Sequence, residues 1–585
     1  MSVYPTLIIH NAKIHTGVTH RPEVQALAVT GRRIVAVGTN GQIRSLAGPA
    51  TIVIDAGRRR VIPGLIDACQ HFIASGIDYN QQLRWDSVPT LEQALHMLSE
   101  QVRLTPAPQW VRVVGGFSEQ QFSERRLPTL EELDRIAPST PVYVQHLQDR
   151  ALLNGAAMAA CGYDAHTPDP QGGHIAWDST GAPTGLLIAD SSTDVFRNTL
   201  SHAPVLPHEY RINSTRQLMR ALNRLGITSV IDAGAPCLDH PEDYRAIEEL
   251  AQHHLLTVRI AYHLAAQTPG REVADFMHWC TINRYSDGDE LHRFNGAGNV
   301  LLHAAMDPAN FRQSPRGIPA QAAEELQDIV SRLVARHWPW RMQATHDETI
   351  GMALDVFERV DAELPLHALP WFFDGAEMIS ARNIERVARL GGGICILPNM
   401  AYQGEYVAER HGAEVAARTP PLRQLLDAGV HVGLGSGATE LAGIDPWVTL
   451  HWLISGRTLG GLELHSPEHR LDRATALALH THANTWFSGE EGKGRIDIGQ
   501  VADMAILSDD YFAVPDDEIR HLVAELTVMD GHVVYASGDF RAFDLAPPAP
   551  LPEWSPAHRG EGAWRPHPDD AGQAEQPQDA NRASR

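Results

Sequence analysis

The sequence predicts an α/β fold: a parallel (β/α)8 barrel carrying a small β-sandwich domain built from both termini. Two observations carry this. Both ends of the chain read as short strands separated by turns, and the long middle alternates strand with helix. A length of 585 residues leaves room for one large barrel and a satellite domain. The boundaries this implies are 1–62 with 489–545 for the composite β domain, 63–488 for the barrel, and 546–585 for a tail.

The N-terminal strands are expected at 7–9, 12–15, 26–29, 33–37 and 51–55, with Gly17, Gly31, Gly38 and Gly57 at turns. Matching signals return at 505–507, 526–529 and 532–535, the last two joined by Asp530-Gly531. In the middle, Thr90 with Gln93 and Thr129 with Glu132 form capping-box patterns, as Ser214 with Gln217 does before a helix closed by Gly226. Strands are expected at 110–114, 142–146, 228–232, 341–345, 394–397 and 431–435. Helices are expected at 94–102, 322–335, 422–426 and from Ser380 to residue 390. A doubly wound sheet is the alternative architecture. The tail is rich in Pro, Ala, Asp and Gln and is expected to be disordered.

The net charge of -23 argues against nucleic acid or an anionic membrane as partner, since both need clustered cations. No apolar run approaches the roughly 20 residues of a membrane span. The N-terminus lacks a secretory pattern and the five cysteines show no paired spacing, so a cytoplasmic protein with reduced thiols is expected. The only lysines are Lys13 and Lys493. The middle of the chain can therefore supply neither a metal-bridging carboxylated lysine nor a Schiff base.

Residues 61–72 read VIPGLIDACQHF. With LNRLGITSVIDAG at 222–234, THDETI at 345–350, WFFDGAEMIS at 371–380, GLGSGATE at 433–440 and GRIDIGQVADMAIL at 494–507, this stretch resembles the amidohydrolase superfamily. The similarity is to its long branch that includes N-substituted formamide deformylases, and it runs over about residues 5–540. The resemblance implies metal ligands at the C-terminal ends of barrel strands. These are two histidines on the first strand, one on a middle strand, one on the next, and a last-strand aspartate that is also the general base. At the matching positions this chain has Cys69, His71, Gln343, Gly375 and Gly437. Only His71 keeps the family's residue, so no metal ligands are assigned and no cofactor is expected.

Cys69 and His71 lie two residues apart, hence on one face of a strand. Cys69 is then either a nucleophile or a small residue filling the place of a lost histidine. Asp347, Glu348 and Asp374 are further candidates for acid/base work. Asp347 and Glu348 equally suit a helix N-terminus. Gln343, His346, Gly375 and Gly437 are expected at the substrate, the two glycines opening volume for a larger organic ligand. Trp85, Phe117, Trp371 and Tyr402 are candidate pocket walls that favour an aromatic one. An alternative metal site would draw on His71 with His146, His303, His346, His480 or His482. The function expected is hydrolysis of an amide-like C–N bond in a small molecule without the usual binuclear centre. The alternative is a non-catalytic binding or regulatory subunit. Assembly into a homo-oligomer is left open.

Overall fold

Eight parallel strands form the core of the computed structural model, which describes residues 4–559 apart from 165, 171, 191–192, 315–316, 439–442 and 546–547. They are β1 (Leu65–Gln70), β2 (Ile227–Asp232), β3 (Arg259–Leu264), β4 (His292–Ala297), β5 (Trp340–Ala344), β6 (Trp371–Gly375), β7 (Gly393–Ile396) and β8 (His431–Leu434). They pair in sequence order from β1 to β8. The ring closes just beyond β8: Gly437 N–H donates to the Cys69 carbonyl at 2.7 Å and His71 N–H to that of Ala438 at 2.9 Å.

Helices cover the outside. Those used below are α1 (Phe72–Asp78), α2 (Leu91–Leu104), α3 (His208–Arg224), α4 (Ala320–Ala335), α5 (Asp347–Asp361), α6 (Ala381–Arg389) and α7 (Asn399–His411). Thr90 caps α2 through Gln93 N–H, as its sequence pattern suggests. Ser214 does not open a helix. The chain turns helical directly after Pro207, which pre-sets the backbone, and Ser214 sits inside α3 accepting from Asn80 N–H.

The strands expected near 110–114 and 142–146 are not barrel strands. They join a separate six-stranded mixed sheet, inserted between β1 and β2, with Gln82–Leu83, Arg150–Leu153, Gly173–Trp177 and Pro183–Ala189. A parallel pair joined by a helix reads alike in a barrel and in an insertion, so periodicity alone cannot separate them.

Both termini build two further sheets. Leu7–His10, Ala26–Thr30, Arg33–Gly38 and Ile52–Asp55 make one. Lys13–His15, Glu23–Val24, Arg60–Pro63, Met504–Leu507, Ala524–Met529 and His532–Ala536 make the other. Ile9, Ile14, Leu27, Val61, Met504 and Val528 share the core of this domain.

The expected disordered tail is corrected over part of its length. Residues 548–559 lie against the barrel and the insertion. Asn213 and Gln217 of α3 donate to the carbonyls of Ala549 and Pro548, Asn80 to that of Leu551, and Gln101 of α2 to that of Trp554. Composition missed this because much of the hold comes from backbone carbonyls, which composition does not report, with Pro552 and Pro556 buried beside them. Residues 560–585 lie outside the described residues.

Candidate active site

Alternation along β5 and β6 decides what faces the barrel axis. Trp340 stacks on Trp371, and both meet Phe357 of α5, so these positions face the helices. Arg341, Gln343, Phe372 and Asp374 therefore turn inward. Arg341 grips Asp374 with two hydrogen bonds, Nε to Oδ2 at 2.8 Å and Nη2 to Oδ1 at 2.5 Å, and both side chains are wholly buried. Its guanidinium carbon lies 4.8 Å from the Phe372 ring centroid. Arg341 Nη1 is buried with no hydrogen-bond partner.

Cys69 of β1 and Cys395 of β7 reach the same place. Cys395 is wholly buried and lies near enough to Cys69 to feel it. Burial and the neighbouring Cys69 push it well above an ordinary thiol, against the attraction of Arg341. Below them Asp67 ties β1 to the segment after β8, accepting from Ser436 Oγ at 2.6 Å and from the Ser436 and Cys69 amides. Burial pushes its carboxyl up to about 6 although those bonds oppose the shift.

His71 caps β1, and its Nδ1 donates to the Gly234 carbonyl at 2.6 Å. That bond leaves Nε2 with the lone pair. His263 of β3 donates from Nδ1 to the Asp232 carbonyl and accepts at Nε2 from Asn295 of β4. Burial and Arg341 keep it neutral, well below the usual histidine range.

A second group lies at the rim over β5, β6 and β7. His346 donates from Nδ1 to Asp307 Oδ1 at 2.8 Å, and Asp307 Oδ2 takes the amides of Thr345 and His346. Glu377 is fully buried. Its Oε1 accepts from Asn399 of α7 at 2.5 Å, while Oε2 has no hydrogen-bond partner. Burial raises its carboxyl to about 7. The backbone turns back at Gly375 and Ala376, with φ of 92° and 55°. A β-carbon placed on Gly375 would stand 2.8 Å from Glu377 Oε2.

The sequence-predicted residues divide accordingly. Cys69, Gln343 and Asp374 come together inside the barrel, with His71, Gly375, Gly437 and His346 at its rim. Asp347 and Glu348 are corrected. Asp347 Oδ1 accepts from Ser380 N–H and from Asn383 Nδ2, tying α5 to α6, and Glu348 is exposed in the first turn of α5. Trp85 and Phe117 are also corrected. Both pack with Phe122 in the core of the inserted sheet, where apolar bulk is buried against the protein itself. Trp371 belongs to the helix-facing core. Tyr402 lines a small cavity with Tyr79, Arg84, Asp86, Ile444 and Val448, and its hydroxyl accepts from Gly443 N–H. Sequence reasoning missed Asp67, Asp232, His263, Asn295, Asp307 and Arg341. A polar residue in an otherwise apolar strand was the available signal for five of them. Asp307 follows β4 in a loop and gave none.

His146 serves none of the proposed alternative metal sites. Its two nitrogens lie 2.7 Å from Glu119 and 2.7 Å from Asp149. Those carboxylates outweigh burial and raise its pKa above the usual histidine value. Among the described residues no group of three or more His, Cys, Asp or Glu side chains is gathered to hold a metal ion.

A parallel eight-stranded barrel with polar groups at its strand ends, joined to a β domain from both termini, defines the class of architecture. The sequence pattern of the amidohydrolase family matches residues 52–535. The chain belongs to that family and is a hydrolase. It is 25% identical to N-substituted formamide deformylase of Arthrobacter pascens over 90% of this chain and 98% of the relative. Among solved structures it is similar to a metal-dependent hydrolase of Pyrococcus horikoshii, with a TM-score of 0.63 and 19% identity over 87% of this chain and 99% of that one. It is also similar to zinc-complexed atrazine chlorohydrolase of Arthrobacter aurescens, with a TM-score of 0.51 and 17% identity over 91% and 95%.

These neighbours correct the expectation that no cofactor is involved: one is a metal-dependent hydrolase and another holds zinc, which points to a metal rather than to none. The family's ligand positions here do not fit its usual set. Position 69 is a buried thiol, and position 343 is a neutral amide. Position 437 is a glycine, and the volume beside Gly375 is taken by Glu377. Among the described residues, no helix is long and apolar enough to cross a membrane.

Proposed function

We propose that this hydrolase cleaves the C–N bond of a small, uncharged molecule at the C-terminal mouth of the barrel. The observation that carries this reading is the Arg341–Asp374 pair beneath Cys69, His71 and Gln343. Its two charges cancel, so the floor of the mouth offers polarity without a net charge to select an ion. The name of one similar protein, N-substituted formamide deformylase, supports the bond class.

In this reading Cys69 is the nucleophile. His71, oriented by Gly234, takes its proton at Nε2 and returns it to the leaving amine. The Gln343 amide, which makes no hydrogen bond of its own among the described residues, holds the substrate carbonyl. Attack forms a thioester as the C–N bond breaks, and water then releases the acid and the thiol. A second reading rests on Glu377. A carboxyl still protonated near neutral pH, with one unpartnered oxygen, can donate to a leaving nitrogen without a thiol step.

The test is amine release from a panel of N-aryl formamides, aryl amides and substituted triazines, each with and without added zinc. Wild type, Cys69→Ala, His71→Ala and Glu377→Gln are compared. Turnover lost in the first two variants and kept in Glu377→Gln supports the thiol route. Full turnover in Cys69→Ala removes it. Turnover of wild type on none of the panel removes the substrate class.

A further inference from the structure

The inserted sheet leaves the barrel after β1 and returns before β2, and its tip comes back to the mouth. That tip is the turn after strand Val142–His146. Leu147 there is buried and packs in the apolar cluster of the barrel, not in either cluster of the insertion. Its φ of 48° strains the backbone of a residue with a β-carbon. Beside it Glu119, His146, Asp149 and Arg150 close a ring. His146 lies 2.7 Å from each carboxylate, and Arg150 reaches Asp149 at 3.0 Å and Glu119 at 3.2 Å. All four residues belong to the insertion.

The barrel meets this tip with one segment, residues 307–314 after β4. It is fixed to the barrel along its length. Asp307 accepts from His346, the Ala309 carbonyl from Gln403 of α7, and Ser314 Oγ from Arg410 of α7. Between these anchors Arg312 reaches the insertion. Its Nη2 lies 3.6 Å from Glu119 Oε1 and its Nε 3.5 Å from Asp149 Oδ2. Its guanidinium carbon lies 3.9 Å from the ring centroid of Tyr406 in α7. The segment after β4 and the helix after β7 bracket β5 and β6. The tip that both reach therefore lies over the rim where His346 and Glu377 stand.

We propose that the inserted sheet is a hinged cover of the barrel mouth and that Arg312 is the clasp that holds it shut. The contact is of a kind that opens. The Arg312 side chain is 41% exposed and its two pairs are long, so each is weak and Arg312 returns readily to water. When the tip leaves, Glu119 and Asp149 keep His146 and Arg150, so no buried charge is stranded on the cover. Opening also withdraws Leu147 from the barrel, and release of its strained backbone offsets part of that loss. Two further ties at this face are single hydrogen bonds, Gln313 to the Ala189 carbonyl at 2.8 Å and Arg125 to that of Gly460 at 2.7 Å. The opposite end is the hinge. There Gln81 and Arg112 both donate to the Pro204 carbonyl, joining the way into the insertion to the way out. Segment 548–559 holds Asn80 and Gln101 at the same end. Ion pairs and single hydrogen bonds at one end, with the chain tied at the other, suit a part that swings. The inference concerns access to the mouth and holds whichever group there does the chemistry.

Access is read at Cys69, inside the covered mouth, in the full chain with Cys237→Ser, which removes the one exposed thiol. Alkylation of Cys69 and Cys395 by iodoacetamide is followed by peptide mass mapping, beside hydrogen exchange of residues 145–153. Arg312→Met should speed Cys69 alkylation several-fold and raise exchange at the tip. Cys395 labelling and the urea midpoint should stay near those of the parent. Arg312→Lys keeps the charge but cannot span both carboxylates, and should fall between. Added sodium chloride should speed Cys69 labelling in the parent and much less in Arg312→Met. If Cys69 reacts at one rate in all three proteins, or not at all, Arg312 is no clasp and the inference is overturned. A rise shared equally by Cys69 and Cys395 overturns it too, since that reports loosening of the whole barrel. None of these readouts requires a known substrate.

Discussion

The carboxyl group of Glu377 occupies the space a side chain at position 375 would enter. A β-carbon on Gly375 would lie 2.8 Å from Glu377 Oε2 and 3.3 Å from Oε1. The loss of a ligand at one position and the burial of a carboxyl two residues later are thus one structural change. The backbone reverses at Gly375, and the acid that follows folds back over it.

Gly375→Ala should therefore be destabilising on two counts. Its φ of 92° is strained for any residue with a β-carbon, and the new methyl meets the carboxyl. Together these should cost about 1–3 kcal/mol, read as a lower urea midpoint. Adding Glu377→Ala should relieve the clash and leave the backbone strain. A Gly375→Ala protein as stable as wild type would show that the carboxyl does not fill this volume.

Glu377 also predicts a pH dependence. Its folded carboxyl titrates near 7 against 4.5 for a free glutamate. The folded state then binds the extra proton, so this group's stabilising contribution is complete below pH 4.5 and is lost as pH rises through about 7. Glu377→Gln removes the titration. Relative to wild type, the variant should show a growing advantage between pH 5 and pH 8, of order 2–3 kcal/mol from the linkage. Asp67 titrates in the same direction, from 3.8 to about 6, so the comparison is repeated in an Asp67→Asn background. A stability difference that is flat with pH would place Glu377 in contact with water.

The Arg341–Asp374 pair yields a prediction about asymmetry. Asp374→Ala strands a buried guanidinium and should cost about 3–5 kcal/mol. Arg341→Met with Asp374→Leu replaces both partners by apolar groups and should cost much less than the sum of the single changes. Thermal unfolding of Arg341→Met, Asp374→Leu and the double variant measures the coupling. Additive losses would mean that the two side chains do not depend on each other.

The barrel and the split β domain were legible because their signals are local. Alternating apolar residues, Asp-Gly turns and helix caps each act within a few positions, and Pro63–Asp67 keeps the family's spelling. Inner neighbours were not legible. Arg341 and Asp374 meet across adjacent strands, and no sequence spacing encodes which inward-facing side chains share a depth. His71 was read as a partner for Cys69 because both sit on one face. That spacing says nothing of the Gly234 carbonyl, which takes His71 Nδ1. Aromatic residues misled for a related reason: Trp371 and Phe117 are as apolar in a core as in a pocket, and only the register of β6 and the inserted sheet tells which.

The carbonyl-held segment 548–559 predicts that truncation after Leu545 is not neutral. Four side chains, Asn80, Gln101, Asn213 and Gln217, would lose acceptors, at roughly 0.5–1.5 kcal/mol each. The amides of α2 and α3 should then exchange hydrogen faster, while those of β5 and β6 keep their protection. Unchanged exchange in α3 would mean that the segment does not hold these helices.

Thiol accessibility gives the last prediction. Of the five free cysteines Cys237 is exposed, Cys161 and Cys280 are partly buried, and Cys69 and Cys395 are buried. Burial pushes the Cys161 thiol up to about 12, so that residue is accessible in part yet poorly ionised. Alkylation needs both access and a thiolate. Iodoacetamide near neutral pH should therefore label Cys237 first. In a Cys237→Ser background, any labelling of Cys69 should require opening of the barrel mouth, so its rate should fall when a substrate analogue is bound and rise in mild urea. Cys395, deeper and held protonated, should react last. Peptide mass mapping over a time course gives the order directly. Labelling of Cys69 ahead of Cys237 in wild type would reveal a thiol far more reactive than its burial allows. It would then take precedence over Glu377 as the group on which to build the mechanism.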